Sequence, residues 1–158
     1  MNYRHVALTL LLGLANPGAR GDSGVGYPEG YRDWHHVKSM VILPGHALEN
    51  PFAGVHHIYA NDAAKAGLKS SEYADGATFV FDLLATVQGG HAIQEGERKL
   101  VGVMVRDAAR YTRTGGWGFE GFAANSHSRR LTSDGGAGCF GCHTSERAHG
   151  YVFTRARE

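Results

Sequence analysis

The sequence is nearly devoid of cysteine, with two residues in 158, Cys139 and Cys142. A disulfide across their two-residue gap would close too small a loop to staple a domain. A cysteine zinc site would want four ligands, and there is no second cysteine pair. Neither sign of charge is in surplus. The net charge is +1 with histidines neutral, so no basic patch points to nucleic acid and no acidic block to a disordered tail. There is no internal repeat. Beyond the N-terminal stretch no run approaches the about 20 apolar residues that a membrane helix needs, so no stable span is expected in the mature chain. Methionine is scarce, with three residues, and none follows position 143.

What is present is glycine, 23 residues spread along the chain as turns, and histidine, 10 residues. The length suits one domain with a real core. At the N-terminus Arg4 and His5 precede a short apolar run over residues 6–14, and "ANPGARG" then breaks any helix. That run is too short to cross a bilayer and reads as the hydrophobic region of a cleaved secretory signal. Residues 1–21 are therefore expected to be a signal peptide, with Ala15 and Ala19 as candidate cleavage sites. Residues 22–158 then form a single domain exported to the periplasm.

Both cysteines fall in "CFGCH", Cys139 to His143. A thioredoxin-like pair should open a helix inside a βαβ pattern, and none precedes this motif. Haem attachment uses all three residues. Two thiols on a helical turn add to the two vinyl groups, and the following imidazole ligates iron. The expected cofactor is one covalent haem c per chain, with His143 as the metal ligand.

The remainder reads as five strands, over residues 35–43, 54–60, 76–87, 99–108 and 117–124, each rich in β-branched, aromatic or alternating apolar residues. A short helix is expected after Asn61 or Asp62 as cap. "GGHAIQEGER" reads as a polar turn making a hairpin of the third and fourth strands. The terminal "YVFTRAR" has no clear type. Strands joined by short turns imply an α+β fold, a mainly antiparallel sheet with flanking short helices. Period-two segments dominate, which excludes a four-helix cytochrome. Met40 and Met104 lie in strand-like runs and read as core packing.

Several segments, in order, resemble the cytochrome P-460 family, including its cytochrome c′-beta branch: "YPEGYRDWHHVKSMVI", "NPFAGVHHIYAN", "DGATFVFDLL", "VMVRD", "TGGWGFEGF", "CFGCHT" and "YVFTR". The resemblance covers residues 26–155. It implies a mainly antiparallel sheet, a homodimer, and a five-coordinate haem with an open distal face. P-460 members bear a lysine bonded to the porphyrin and oxidise hydroxylamine. The c′-beta members lack that bond and bind nitric oxide under two phenylalanines. Here Phe81 stands where the lysine is expected, and Phe52 where the second phenylalanine is expected. Lys65 and Lys69 read as solvated. The resemblance thus favours the gas-binding branch, with hydroxylamine or nitric oxide oxidation as the alternative and an electron-transfer partner still to be identified.

Phenyl rings donate no strong hydrogen bond, so an apolar cap favours nitric oxide and carbon monoxide over dioxygen, which gains more from a donor. It also leaves no proton shuttle for hydroxylamine oxidation. His56 and His57 alternate on a strand and face opposite sides, so at most one looks inward. His56 reads either as a distal group or as a solvated or structural histidine. Asp82 and Glu120 are further candidate proton acceptors. Arg106, Arg129, Arg130 and Arg147 are candidates to pair with haem propionates.

Overall fold

A computed structural model describes residues 23–157; the expected signal peptide lies outside them. Five strands, β1 (His35–Ile42), β2 (Gly54–Ala60), β3 (Thr78–Gly89), β4 (Ala92–Arg106) and β5 (Trp117–Ala123), form one sheet in the order of the chain. Every neighbouring pair is antiparallel. A helical turn α1 (Glu49–Phe52) precedes β2, a short helix α2 (Asp62–Gly67) follows it, and α3 (Ala137–His143) carries the cysteine motif. The expected α+β sheet with flanking helices is the fold.

Alternation along the strands gives the sheet two faces. Ile58, Phe79, Met104, Trp117 and Phe119 build the near-face core, beneath Ala64 of α2, Leu68 and Val152. Val80, Val101, Val103 and Phe122 build the far-face core, covered by Val25 and Tyr31 from the N-terminal segment. Met104 is in the core as expected, whereas Met40 is 38% exposed on the edge strand and packs no core.

Asn61, not Asp62, caps α2. Its side-chain oxygen accepts from the backbone N–H of Ala64 at 2.9 Å and of Thr78 at 3.0 Å, so one residue ends β2, starts the helix and aligns β3. The turn between β3 and β4 is shorter than its sequence suggests. Gly89 pairs with Ala92, leaving Gly90 and His91, with φ of 58° and 61°, as a two-residue turn of the kind that matches strand twist. Residues 92–98 are strand and not loop. Most of their side chains are solvated, which hid a strand behind a polar composition. The "YVFTRAR" tail is an irregular strap. Trp117 Nε1 donates to the Gly150 carbonyl at 2.9 Å just before it, and the strap buries Val152 and Thr154.

Asp82 and Glu120 are buried at 0% and 2% exposure, but on the far face. Asp82 accepts from Tyr31 Oη at 2.8 Å, Arg32 Nη2 at 3.0 Å and Arg98 Nε at 2.7 Å. Burial opposes its charge, and these bonds together outweigh burial and hold its pKa below the usual carboxylate value. Glu120 accepts from Ser23 Oγ at 2.8 Å, Arg130 Nη1 at 3.0 Å and Thr132 Oγ1 at 2.6 Å. Both carboxylates knit segments onto the sheet, which corrects the expectation that they accept protons at the haem site.

Candidate haem site

The cysteine helix is launched by a tight approach to β5. Gly136 has φ 89°, and a Cβ there would lie 2.8 Å from both Cβ and the carbonyl oxygen of Phe119, so only glycine fits. Asp134 then accepts from the backbone N–H of Gly136 at 2.9 Å and of Gly138 at 2.8 Å. Cys139 and Cys142 are free thiols and exposed. They are three residues apart and therefore lie on one side of the turn. Phe140 points the other way and anchors the helix against Phe119 and Tyr151, at ring separations of 6.2 and 5.4 Å.

His143 ends α3 with its ring between Phe119, at 4.9 Å, and Phe153, at 5.0 Å. Its Nδ1 is 2.7 Å from the Tyr151 carbonyl. A carbonyl only accepts, so the contact assigns the proton to Nδ1 and leaves the Nε2 lone pair for a metal, the arrangement that orients ligating histidines. Burial outweighs that bond and lowers the imidazole pKa, which keeps the ring neutral.

On the same sheet face stands a second group. The Phe52 and Phe81 rings meet edge to face at 5.7 Å, and His56 stacks on Phe81 at 4.5 Å. His56 is 3% exposed and its Nδ1 has no hydrogen-bond partner. Burial, with the charges of Lys38 and His57, pushes its pKa down to about 4, so the ring is neutral at neutral pH. His57 faces the other way, its Nδ1 2.6 Å from Ser39 Oγ.

Between the two groups the sheet carries two glycines in one row, Gly102 beside Phe81 and Gly121 lying under the Leu131 side chain, where a Cβ would come within 3.3 Å. Phe81 pairs with Gly102 and Gly102 with Gly121, so one cross-strand row on the near face reads phenylalanine, glycine, glycine. Two strand gaps separate Phe81 from β5, roughly 10 Å. The three atoms nearest a Cβ on Gly102 would all belong to Phe81, the closest at 3.4 Å. The structure places the six expected residues in two groups, Phe52, Phe81 and His56 in one and Cys139, Cys142 and His143 on α3 in the other. Two thiols on a helical turn, an imidazole with its second nitrogen free, and a low sheet surface at Gly102 that a side chain would fill all fit a haem.

The arginines resolve in part. Arg106 donates to the carbonyls of Tyr73 and Gly115 at 3.3 and 3.0 Å, and Arg130 is taken by Glu120 and the Val25 carbonyl. Both guanidinium groups thus already hold protein acceptors. Arg129 and Arg147 are exposed, and so are Lys65 and Lys69. The sequence reading missed Gly102, Gly121 and the Tyr151 carbonyl. Isolated glycines inside strand patterns mark close approaches, so the first two were legible; a backbone acceptor carries no signal.

Fold and site together define a haem-binding cytochrome built on an antiparallel sheet. The sequence matches the cytochrome P460 family model over residues 28–154, and the chain belongs to that family. A search of curated proteins gave no match.

Proposed function

We propose that this chain is an exported, periplasmic mono-haem c-type cytochrome that binds small neutral gases, nitric oxide or carbon monoxide. In this reading Cys139 and Cys142 tether one haem, and Nε2 of His143 ligates its iron. Phe52, Phe81 and His56 line the opposite, ligand-binding side. Haem held by one imidazole supplies an iron position open to a diatomic ligand. The observation that carries the reading is the aromatic group across the glycine strip from His143, with Phe52 and Phe81 at 5.7 Å. Two phenyl rings exclude water and offer no donor, which suits ligands that need none. A homodimer follows from the family resemblance, and the edge strand β1 offers exposed Met40 and Val41 for a partner.

The alternative is oxidation of hydroxylamine or nitric oxide. One observation favours it, the unpartnered Nδ1 of His56. Against it stand Phe81 in place of the crosslinking lysine and a pKa of about 4 for His56, too low for an efficient base at neutral pH.

The test is the absorption spectrum of the purified, reduced protein with and without carbon monoxide. The expected result is an ordinary c-type spectrum that carbon monoxide shifts. A strongly displaced Soret band, with a haem–side-chain bond in the peptide map, would establish the alternative. A spectrum indifferent to carbon monoxide would mean that a protein side chain fills the sixth position, and gas binding would fall.

A further inference from the structure

Lys99 lies outside both groups of the site, yet it reaches the ligand side. Leu83 pairs with Leu100 and Leu84 with Arg98, so Lys99 is the extra residue of a β-bulge on β4. A bulge re-aims a side chain. Arg98 turns to Asp82 on the far face, Nε to Oδ1 at 2.7 Å. Lys99 instead crosses to α1, where its Nζ donates to the carbonyl of Pro51 at 3.0 Å and of Ala53 at 2.7 Å. These two carbonyls flank Phe52.

The turn has little else to hold it. Its backbone bonds are internal: Phe52 N–H donates to the Leu48 carbonyl at 3.2 Å and Ala53 N–H to the Glu49 carbonyl at 2.7 Å. The Glu49 carboxylate accepts from Gly45 N–H at 2.8 Å, also within the loop. Leu48, Glu49, Asn50 and Pro51 are exposed. Among the described residues, the ties from the sheet are the ring contact of Phe52 with Phe81 and the two bonds from Lys99.

We propose that Lys99 is a positioning residue for the ligand side of the haem site: its two bonds latch Phe52 over Phe81 and so set how readily a small gas enters. The proposal rests on the reading of Phe52 and Phe81 as the cap. A charged donor makes stronger bonds than a neutral one, and here both bonds act on one aromatic residue from either side. A lysine on a rigid strand holding a turn of low burial is a restraint on the turn, because the strand cannot follow it when it opens.

The test uses the full haem-loaded protein in four forms, unaltered, Lys99→Met, Lys99→Arg and Phe52→Ala, together with the Lys99→Met/Phe52→Ala double variant. Carbon monoxide association to the reduced protein is followed by flash photolysis, and amide hydrogen exchange is followed over residues 46–54. Loss of two charge-assisted bonds at an exposed site corresponds to an increase of about tenfold in the open fraction. Lys99→Met should therefore speed association several-fold and raise exchange in the turn. Lys99→Arg, which keeps a donor, should stay near the unaltered protein. In the Phe52→Ala background Lys99→Met should add nothing, because the group it restrains is gone. Faster association in Phe52→Ala with no change in Lys99→Met overturns the latch and leaves the cap. An additive effect in the double variant also overturns it, since Lys99 would then act elsewhere. No change in Phe52→Ala overturns the cap itself, and the latch with it. Should Lys99→Met express poorly, Lys99→Leu also removes the donor and provides the same comparison.

Discussion

A methyl group placed at Gly102 should separate the haem-bound chain from the haem-free one. Gly102 lies in mid-strand, outside the left-handed region, and a Cβ there would touch Phe81 at 3.4 and 3.7 Å, ordinary contact distances. In a chain that cannot tether haem, made so by Cys139→Ser with Cys142→Ser, Gly102→Ala should stabilise by about 0.5–1 kcal/mol, because alanine loses less backbone freedom than glycine on folding. In the haem-loaded chain the same methyl would project where the proposed site places the cofactor. Overpacking costs about 1–3 kcal/mol, more than the backbone gain. With about 3 °C per kcal/mol for a domain of this size, Gly102→Ala should lower the melting temperature of the loaded protein by a few degrees and Gly102→Leu by more. It should raise that of the thiol-free chain. Melting curves by circular dichroism, read beside haem content from the pyridine haemochrome, give both numbers. The reasoning fails if the loaded and thiol-free chains shift in the same direction, because Gly102 would then not lie on the surface that meets haem.

Phe81→Ala should speed carbon monoxide binding by removing the ring nearest His56 and Phe52; unchanged flash-photolysis kinetics would place Phe81 away from the ligand. Cys139→Ala with Cys142→Ala should abolish haem staining on a denaturing gel, and staining that persists would show attachment elsewhere. Asp82→Asn should cost about 3 kcal/mol in urea unfolding, because it leaves Arg98 facing a neutral group in a buried pair. The unaltered protein has a pH dependence with the matching sign. The folded pKa of Asp82 is depressed, so its contribution is complete above the unfolded value near pH 4 and is lost as pH falls through the folded value. Stability of the Asp82→Asn variant should be flatter across that acid range, and an equally steep acid loss would mean that another carboxylate governs it.

How far the sequence could be read depended on whether a feature was written in period or in contact. β2 was legible to the residue, because "GVHHIYA" alternates between buried and partly exposed positions. The helix under the cysteine motif was legible too, and α3 holds Cys139, Cys142 and His143. Period two carries a further fact. Asp82 adjoins Phe81 and Glu120 adjoins Phe119, so if the phenylalanines face the haem the carboxylates must face away. The extension of β4 back to Ala92 was hidden by charge, since Gln94, Glu95 and Glu97 are strand residues with solvent around them. Arg106 and Arg130 show the limit. Guanidinium groups pair with whatever carbonyl or carboxylate the fold brings near, and that is decided by residues such as Gly115 and Val25 that no local pattern marks as partners.

The meander has one further consequence. Each strand is hydrogen-bonded to its neighbours in sequence, and the last strand ends at Ala123. All five strands therefore precede Cys139 in the chain, and the segment after it adds Val152 and the Gly150 carbonyl to the near face. Pairing of that kind needs only the closure of the loops between successive strands. The segment proposed to carry haem follows the five strands in the chain, so the colour of the protein and the pairing of its sheet can be perturbed one at a time.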